Sequence, residues 1–310
     1  MSRAFRSGER GAALLTAMVI VSLVATLASA MVWQQWRAVQ VEVAERGRMQ
    51  AAWILSGSLD WARLILREDK REVDSLGDVW ANPLAETPMS AFLSVDKDNT
   101  DNAPEAFLSG EIHDAQARYN LRNLIDESTN KVGAGELAGL KRLADMAGVS
   151  ADVADRLAQG LLAARTGSGD VPLMPQSVAQ LVWLGLDADT VRRLAPYVVL
   201  LPVRTPVNLN TAAPEVIAAS IVGIELGDAR RLAELARRKP FETLEQAKKH
   251  LPEAVVLNER QVSVSTQFFE VLGRMRLEDR VLQERSLVRR DNQGVVTVQR
   301  ERINRNDPGS

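Results

Sequence analysis

Hydrophobic and polar positions change their rhythm three times along the chain. From Ala12 to Trp33 there are 22 residues without a charge. At about 1.5 Å rise per residue, a helix of that length crosses a hydrocarbon core of roughly 30 Å. Beyond it the pattern becomes amphipathic: Ala52, Leu55, Leu59, Ala62 and Leu66 recur at helical spacing and mark one face. No proline occurs between Met1 and Asn82. The spacing therefore predicts one helix from Ala12 to about Leu66, its second half packed on a globular body. Trp33 and Trp36 fall where an interfacial aromatic belt would lie, and Gly47 and Gly57 are the places where such a helix would bend.

After Arg67 the rhythm breaks. Asn82-Pro83 and Thr87-Pro88 signal turns, and residues 96–102 (DKDNTDN) form an acidic loop. Its D-x-D-x-x-D spacing lacks the bidentate Glu and the Gly of an EF-hand, so it reads as a solvated turn. Residues 111–124 (EIHDAQARYNLRNL) alternate like a strand entering a turn. From about Gly133 to His250 the period is helical, with Ser150, Thr211 and Asp228 as expected N-caps, Asp187 opening a short helix, and Thr243-Leu244-Glu245-Gln246 as a capping box. Beyond Asn258 the period becomes two. Strands are expected around residues 262–271, 280–288 and 295–303, with Glu278-Asp279 and Asp291-Asn292-Gln293-Gly294 as turns and one solvated face. Residues 305–310 read as a disordered tail.

Composition narrows the function. The 310 residues carry 38 Lys plus Arg against 40 Asp plus Glu, a formal net charge of −2, so no overall basic field argues for nucleic acid. Zero cysteines exclude disulfides, thiolate metal sites and a cysteine nucleophile. His113 and His250 are the only histidines, too few for a histidine metal cluster. No G-x-S-x-G, P-loop, H-E-x-x-H or Rossmann glycine pattern occurs. The chain is not expected to be an enzyme, and no catalytic, metal or cofactor-binding residues are assigned.

The N-terminus leaves three readings open. A cleaved secretory signal could end at Ala28-Ser29-Ala30, but the apolar run exceeds a usual h-region of about 7–15 residues. A plain signal anchor would keep Arg3, Arg6 and Arg10 inside. The third follows from the junction Arg10-Gly11-Ala12-Ala13-Leu14-Leu15-Thr16, which resembles the class III signal of type IV pilins and pseudopilins. That resemblance implies cleavage between Gly11 and Ala12 by a prepilin peptidase, with N-methylation of Ala12 and retention of the helix as anchor and assembly spine. Removing the 11-residue leader, with its three Arg and one Glu, leaves 299 residues and moves the charge from −2 to −4. Most pilins carry Glu at the fifth mature position. Here it is Thr16, whose hydroxyl can return to the helix backbone, a departure that resembles the K component of type II secretion and suits the first position in a filament.

Two families meet in the C-terminal half. Val207-Asn208-Leu209-Asn210-Thr211-Ala212, with Gly223-Ile224 and Pro240-Phe241, resembles the helix-hairpin-helix of competence-type DNA receptors. A membrane-anchored DNA-binding receptor is therefore the alternative function. In DNA-binding members a G-h-G hairpin lets backbone N–H groups approach a phosphate; here Glu225 replaces the second glycine and adds bulk and like charge. Arg230, Arg231, Arg237, Arg238 and Lys239 remain as cations near it. The same stretch resembles the helical insert of type II secretion protein K, together with the signature D-A-x-x-R-[FY]-N-L-x-N-L, which here spans Asp114 to Leu124.

The resemblance to the protein K family implies an α+β, pilin-like fold: a long N-terminal helix packed on an antiparallel sheet, with a large all-α helix-hairpin-helix or SAM-like insert. The implied division is a leader 1–11, a helix 12–66 with residues 12–33 transmembrane, a pilin-like domain 67–124 and 258–304, and an insert 125–257. It further implies a minor pseudopilin in the inner membrane with its globular part in the periplasm, initiating and capping the pseudopilus. The implied partners are minor pseudopilins I and J, the prepilin peptidase and the inner-membrane assembly platform, with no nucleic acid. No cofactor is required. Some members bind calcium at an acidic loop of the insert, and the corresponding stretch here holds Asp170 as its one acid.

Overall fold

The computed structural model describes residues 9–70, 72–88, 106–167, 171–277 and 280–303. The expected acidic loop 96–102, Asp170, the Glu278-Asp279 turn and the tail lie outside the described residues. The chain divides into two units, Met1–Ile54 and Leu55–Ser310.

Helix α1 (Glu9–Glu68) runs for 60 residues through Gly47 and Gly57 without interruption. Each glycine costs about 1 kcal/mol relative to alanine, and neither breaks the backbone ladder. In the first unit α1 presents Leu15, Ile20, Leu27 and Trp33 as exposed side chains. Among the described residues it is the one helix long and apolar enough to cross a membrane.

In the second unit α1 contributes Leu59, Ala62 and Leu66, which are buried with Trp80, Ile112, Phe269, Val271, Val288 and Val295. Trp80 lies in a 3-10 turn (Val79–Ala81); the others come from a five-stranded antiparallel sheet, order β1 (Leu84–Pro88), β2 (Ala106–Asp114), β9 (Phe268–Leu277), β10 (Arg280–Asp291) and β11 (Gly294–Ile303). The β10–β11 hairpin closes through the expected Asp291–Gly294 turn. Trp80 meets Phe269 edge-on, ring centroids 5.2 Å apart. Gly273 on β9 lets α1 come close: a Cβ there would stand 3.2 Å from Leu55 Cδ2. The molecule is thus α+β, a long helix on an antiparallel sheet.

Between β2 and β9 the chain builds a helical body. Two-residue strands β3 (Tyr119–Asn120), β4 (Ile125–Asp126) and β5 (Lys131–Val132) lead into α2 (Ala134–Met146) and α3 (Asp152–Thr166). A 3-10 turn at Val178–Leu184, α4 (Ala188–Leu194), β6 (Val198–Val199) and β7 (Val207–Asn208) follow, then α5 (Pro214–Ser220), α6 (Leu226–Arg238), α7 (Leu244–Lys248) and β8 (Val262–Ser263). Its core gathers Leu140, Leu157, Leu181, Leu209, Ile217 and Leu232. Gly139 marks the α2–α5 crossing, where a Cβ would fall 2.6 Å from the Ala219 carbonyl oxygen. Parallel bridges β3–β6 and β7–β8 stitch the body's ends.

Three expected caps differ. α3 is preceded by Ala151 without a side-chain cap, and Ser150 instead bonds the Asp152 carboxylate. α5 begins after Ala213, with Pro214 in its first turn, so Thr211 is free for another partner. α6 begins after Glu225, and Asp228 pairs with Arg231 at 2.8 Å. Asp187 does cap α4, accepting from Thr190 N at 2.9 Å. Thr243 likewise accepts from Gln246 N.

Candidate functional site

The residues expected to matter fall into two places. At the N-terminus, Gly11 and Ala12 lie in the first turn of α1. Thr16 Oγ1 donates within the helix to Ala12 O (3.0 Å) and Ala13 O (2.9 Å). A hydroxyl satisfied by its own turn needs no polar neighbour in an apolar setting, unlike a carboxylate, which is costly there unless paired.

The second place is a buried polar clasp that the two separate sequence signatures build together. Asp114, at the end of β2, is buried and receives four donors. Oδ2 accepts from Thr211 Oγ1 (2.6 Å), Thr266 Oγ1 (2.7 Å) and Asn208 Nδ2 (2.9 Å); Oδ1 accepts from Gln116 N (2.7 Å). Burial pushes this carboxyl up, and the donors from Thr211, Thr266 and Asn208 pull against it. Asn208 Nδ2 also donates to the Asp74 carbonyl (3.1 Å), and its Oδ1 accepts from Asn210 N (3.0 Å). Asn210 in turn exchanges bonds with the Phe241 backbone, Nδ2 to O at 3.0 Å and N to Oδ1 at 2.9 Å.

Thr266 links Asp114 to a buried ion pair. Its N–H donates to Asp74 Oδ2 (2.7 Å), and Arg290 Nη2 donates to both Asp74 oxygens (2.6 and 2.7 Å) and to Thr266 O (3.0 Å). Arg290 Nη1 reaches Asp69 at 3.2 Å, and the guanidinium lies 4.8 Å over the Phe269 ring. Burial drives Asp74 up to about 7, outweighing Arg290 and the Thr266 N–H, which lower it; nearby Asp114 adds a smaller push in the same direction as burial. Asp69 is also raised, by burial and by Asp78. One guanidinium thus serves both Asp69 and Asp74, and Thr266 connects that pair to Asp114.

The rest of the Asp114–Leu124 signature has equally local reasons. Arg118 pairs with Glu270 at 2.6 Å. Tyr119 donates to Glu136 Oε2 at 2.6 Å, and burial with that carboxylate raises its phenol. Asn120 Nδ2 donates to Val203 O (2.8 Å) and Thr205 Oγ1 (3.0 Å), while Asn123 exchanges bonds with the Thr205 backbone. Leu121 and Leu124 are fully buried in the helical core.

Asp69, Asp74 and Asp78 bring carboxylate oxygens within 4.8 Å of one another. Arg290 already holds two of them, and Asp78 accepts from Ser75 N. His113 is exposed and stands 3.2 Å from Glu111; His250 is exposed and tilts against Phe241. Glu111, His113, Arg118 and Glu270 line a cleft of ≈ 400 Å³ between the sheet and the 3-10 turn and α4 of the helical body. At the hairpin, Gly223 adopts φ 86°, Ile224 is buried, and the exposed Glu225 opens α6 where the second glycine would stand.

Sequence reasoning found Asp114, Asn208 and Thr211 as motif letters but missed Asp74, Thr266 and Arg290. A charged residue in an alternating strand reads as solvent-facing, yet Arg290 is 3% exposed.

A family model described as Type II secretion system (T2SS), protein K matches residues 207–265, the stretch carrying Asn208, Asn210 and Thr211. Type II secretion system protein K of Pseudomonas aeruginosa is 27% identical, covering 94% of this chain and 92% of that protein. The protein of the same name from Pectobacterium carotovorum subsp. carotovorum is 26% identical over 96% and 97%. In fold, a chain of the GspK–GspI–GspJ complex from the enterotoxigenic Escherichia coli type 2 secretion system matches with a TM-score of 0.62 at 20% identity, covering 84% of this chain and 98% of that one. The chain thus resembles type II secretion system protein K along nearly its whole length, in sequence and in fold.

Proposed function

We propose that this chain is a minor pseudopilin of a type II secretion system, held in the inner membrane by residues 12–33 with its globular part in the periplasm. Prepilin peptidase removes residues 1–11 and Ala12 is N-methylated. With minor pseudopilins I and J, and fed by the inner-membrane assembly platform, it initiates the pseudopilus and caps its tip. Residues 67–124 and 258–304 form the pilin-like body and 125–257 the insert, whose bulk blocks stacking of a further subunit. The role involves no bond chemistry. One observation carries the reading: relatives named as protein K align with 94% and 96% of the chain in a single order. Thr16, bonded to its own helix, supports a first position with no subunit above it.

The DNA-receptor reading is not favoured. Glu225 opens α6 at the point where a phosphate would approach, and like charge repels it. N-terminal sequencing of the membrane-bound product tests the proposal. A start at Ala12, abolished by Gly11→Leu, is expected. A product that keeps Met1, or one that lacks everything to about Ala30, overturns it.

A further inference from the structure

The first unit carries a spacing that the proposed function does not use. Arg10 is the last charge before the apolar run and Arg37 the first after it, both on the unbroken α1. The 27 steps between them correspond to about 40 Å, which matches the roughly 40–45 Å of a bilayer including its headgroups. The stretch from Ala12 to Val32 matches the hydrocarbon core alone, at about 30 Å.

Trp33, Trp36 and Arg37 stand at i, i+3 and i+4, so they share one helix face. The Arg37 guanidinium carbon lies 5.1 Å from the Trp33 ring centroid, within cation–π range. Both tryptophans are exposed, at 60% and 59%. Among the described residues Arg37 has no ion-pair partner, whereas Arg46 takes Glu42. An indole places its apolar body among acyl chains and its N–H among ester and phosphate oxygens. A guanidinium offers those phosphates a two-pronged donor.

We infer that Trp33, Trp36 and Arg37 form a one-sided anchor that binds lipid headgroup phosphates, and that this anchor sets the depth of α1 so that Gly11 lies at headgroup level in the opposite leaflet. The inference rests on the membrane-anchor reading above. It gives the peptide bond proposed for cleavage a fixed height, measured from the far side of the bilayer by a rigid rod. Without the anchor the next charge is Glu42. The uncharged stretch then lengthens to about 45 Å, longer than the hydrocarbon core, and the helix can slide or tilt to accommodate the excess.

The chain has no cysteine, so single reporters can be placed at will. The full chain is reconstituted in phosphatidylethanolamine–phosphatidylglycerol vesicles with a nitroxide at Ala13→Cys. Label depth is read from relative accessibility to oxygen and to a water-soluble nickel chelate. The variant combining Trp33→Leu, Trp36→Leu and Arg37→Leu is expected to move the label by about one helical turn, roughly 5 Å. The conservative set Trp33→Tyr, Trp36→Tyr and Arg37→Lys should restore its depth. An unmoved label in the leucine variant overturns the anchor. A second label at Leu23→Cys separates the two ideas: if it is water-accessible in the otherwise unaltered chain, the membrane span itself fails.

Discussion

Replacing Thr211 by valine keeps the side-chain shape but deletes one O–H from the clasp. That hydroxyl donates to Asp114 Oδ2 at 2.6 Å, and the carboxylate it serves is buried, with Thr266, Asn208 and Gln116 as its other donors. A hydrogen bond to a charged group contributes about 1.5–3 kcal/mol. Thr211 is only partly buried, which puts the expected loss near 2 kcal/mol. For a unit of this size that lowers the melting temperature by about 4–8 °C. The loss must depend on pH. The Asp114 carboxyl is already raised by burial, and the Thr211 hydroxyl holds it down; removing the donor raises it further. Above the variant's new value both proteins carry the ion and the full cost is felt. Below the original folded value both are protonated and the cost disappears. Denaturant unfolding of the full chain in detergent, followed by near-UV circular dichroism across a pH series from acid to alkaline, reads both quantities. A loss under about 0.5 kcal/mol at the alkaline end, or a loss that stays constant across the series, refutes the idea that the donors hold an ionised carboxylate.

Two further outcomes follow from the same structure. Asp74, raised to about 7, and Asp69 and Asp114, also raised, make the folded state bind more protons than the unfolded one above the ordinary 3.8, so stability falls as pH rises toward about 7. Asp126, held at about 2 by Ser128 and Thr129, and Asp152, Asp187 and Asp189, held low by Ser150, Thr190 and Arg192, act oppositely. They lose their contribution as pH drops through their folded values, so the optimum lies at roughly pH 4–5; unfolding midpoints that rise steadily from there to neutral pH contradict this. Gly139→Ala, normally worth about 1 kcal/mol to a helix, should instead cost about 1–3 kcal/mol by overpacking, because its Cβ meets the Ala219 carbonyl at 2.6 Å. Gly135→Ala on the same helix has open space and serves as the control, and equal melting temperatures for the two variants would remove the clash.

What could be read from the chain was what is local. The uncharged run, the apolar stripe Ala52, Leu55, Leu59, Ala62 and Leu66, of which all but the half-buried Ala52 are buried, the Asp187 cap and the Asp291–Gly294 turn each depend on neighbours a few residues away. Thr211 misled for a physical reason. A hydroxyl shortly before Pro214 has the local signature of a cap, and only a carboxylate 97 residues earlier draws it elsewhere. Arg290 was hidden in the same way, its two-oxygen partner being 216 residues distant. Neither periodicity nor composition encodes such pairs.

The clasp also explains why one stretch invited two readings. The family model ends at Ser265, one residue short of Thr266, and includes none of Asp74, Asp114 or Arg290. Taken alone, Val207–Ala212 is a polar run leading into a helical hairpin, and a DNA hairpin has the same outline. In the folded chain Asn208 and Thr211 both spend donors on Asp114, and Asn208 on the Asp74 carbonyl as well. Those acceptors come from the end of β2 and from the segment that follows α1. Side chains turned inward to hold a buried carboxylate are not available to a phosphate. The polarity of the motif is therefore used to join the helical body to the sheet, and the segment acquires its meaning only with the strand and loop that precede it in the chain.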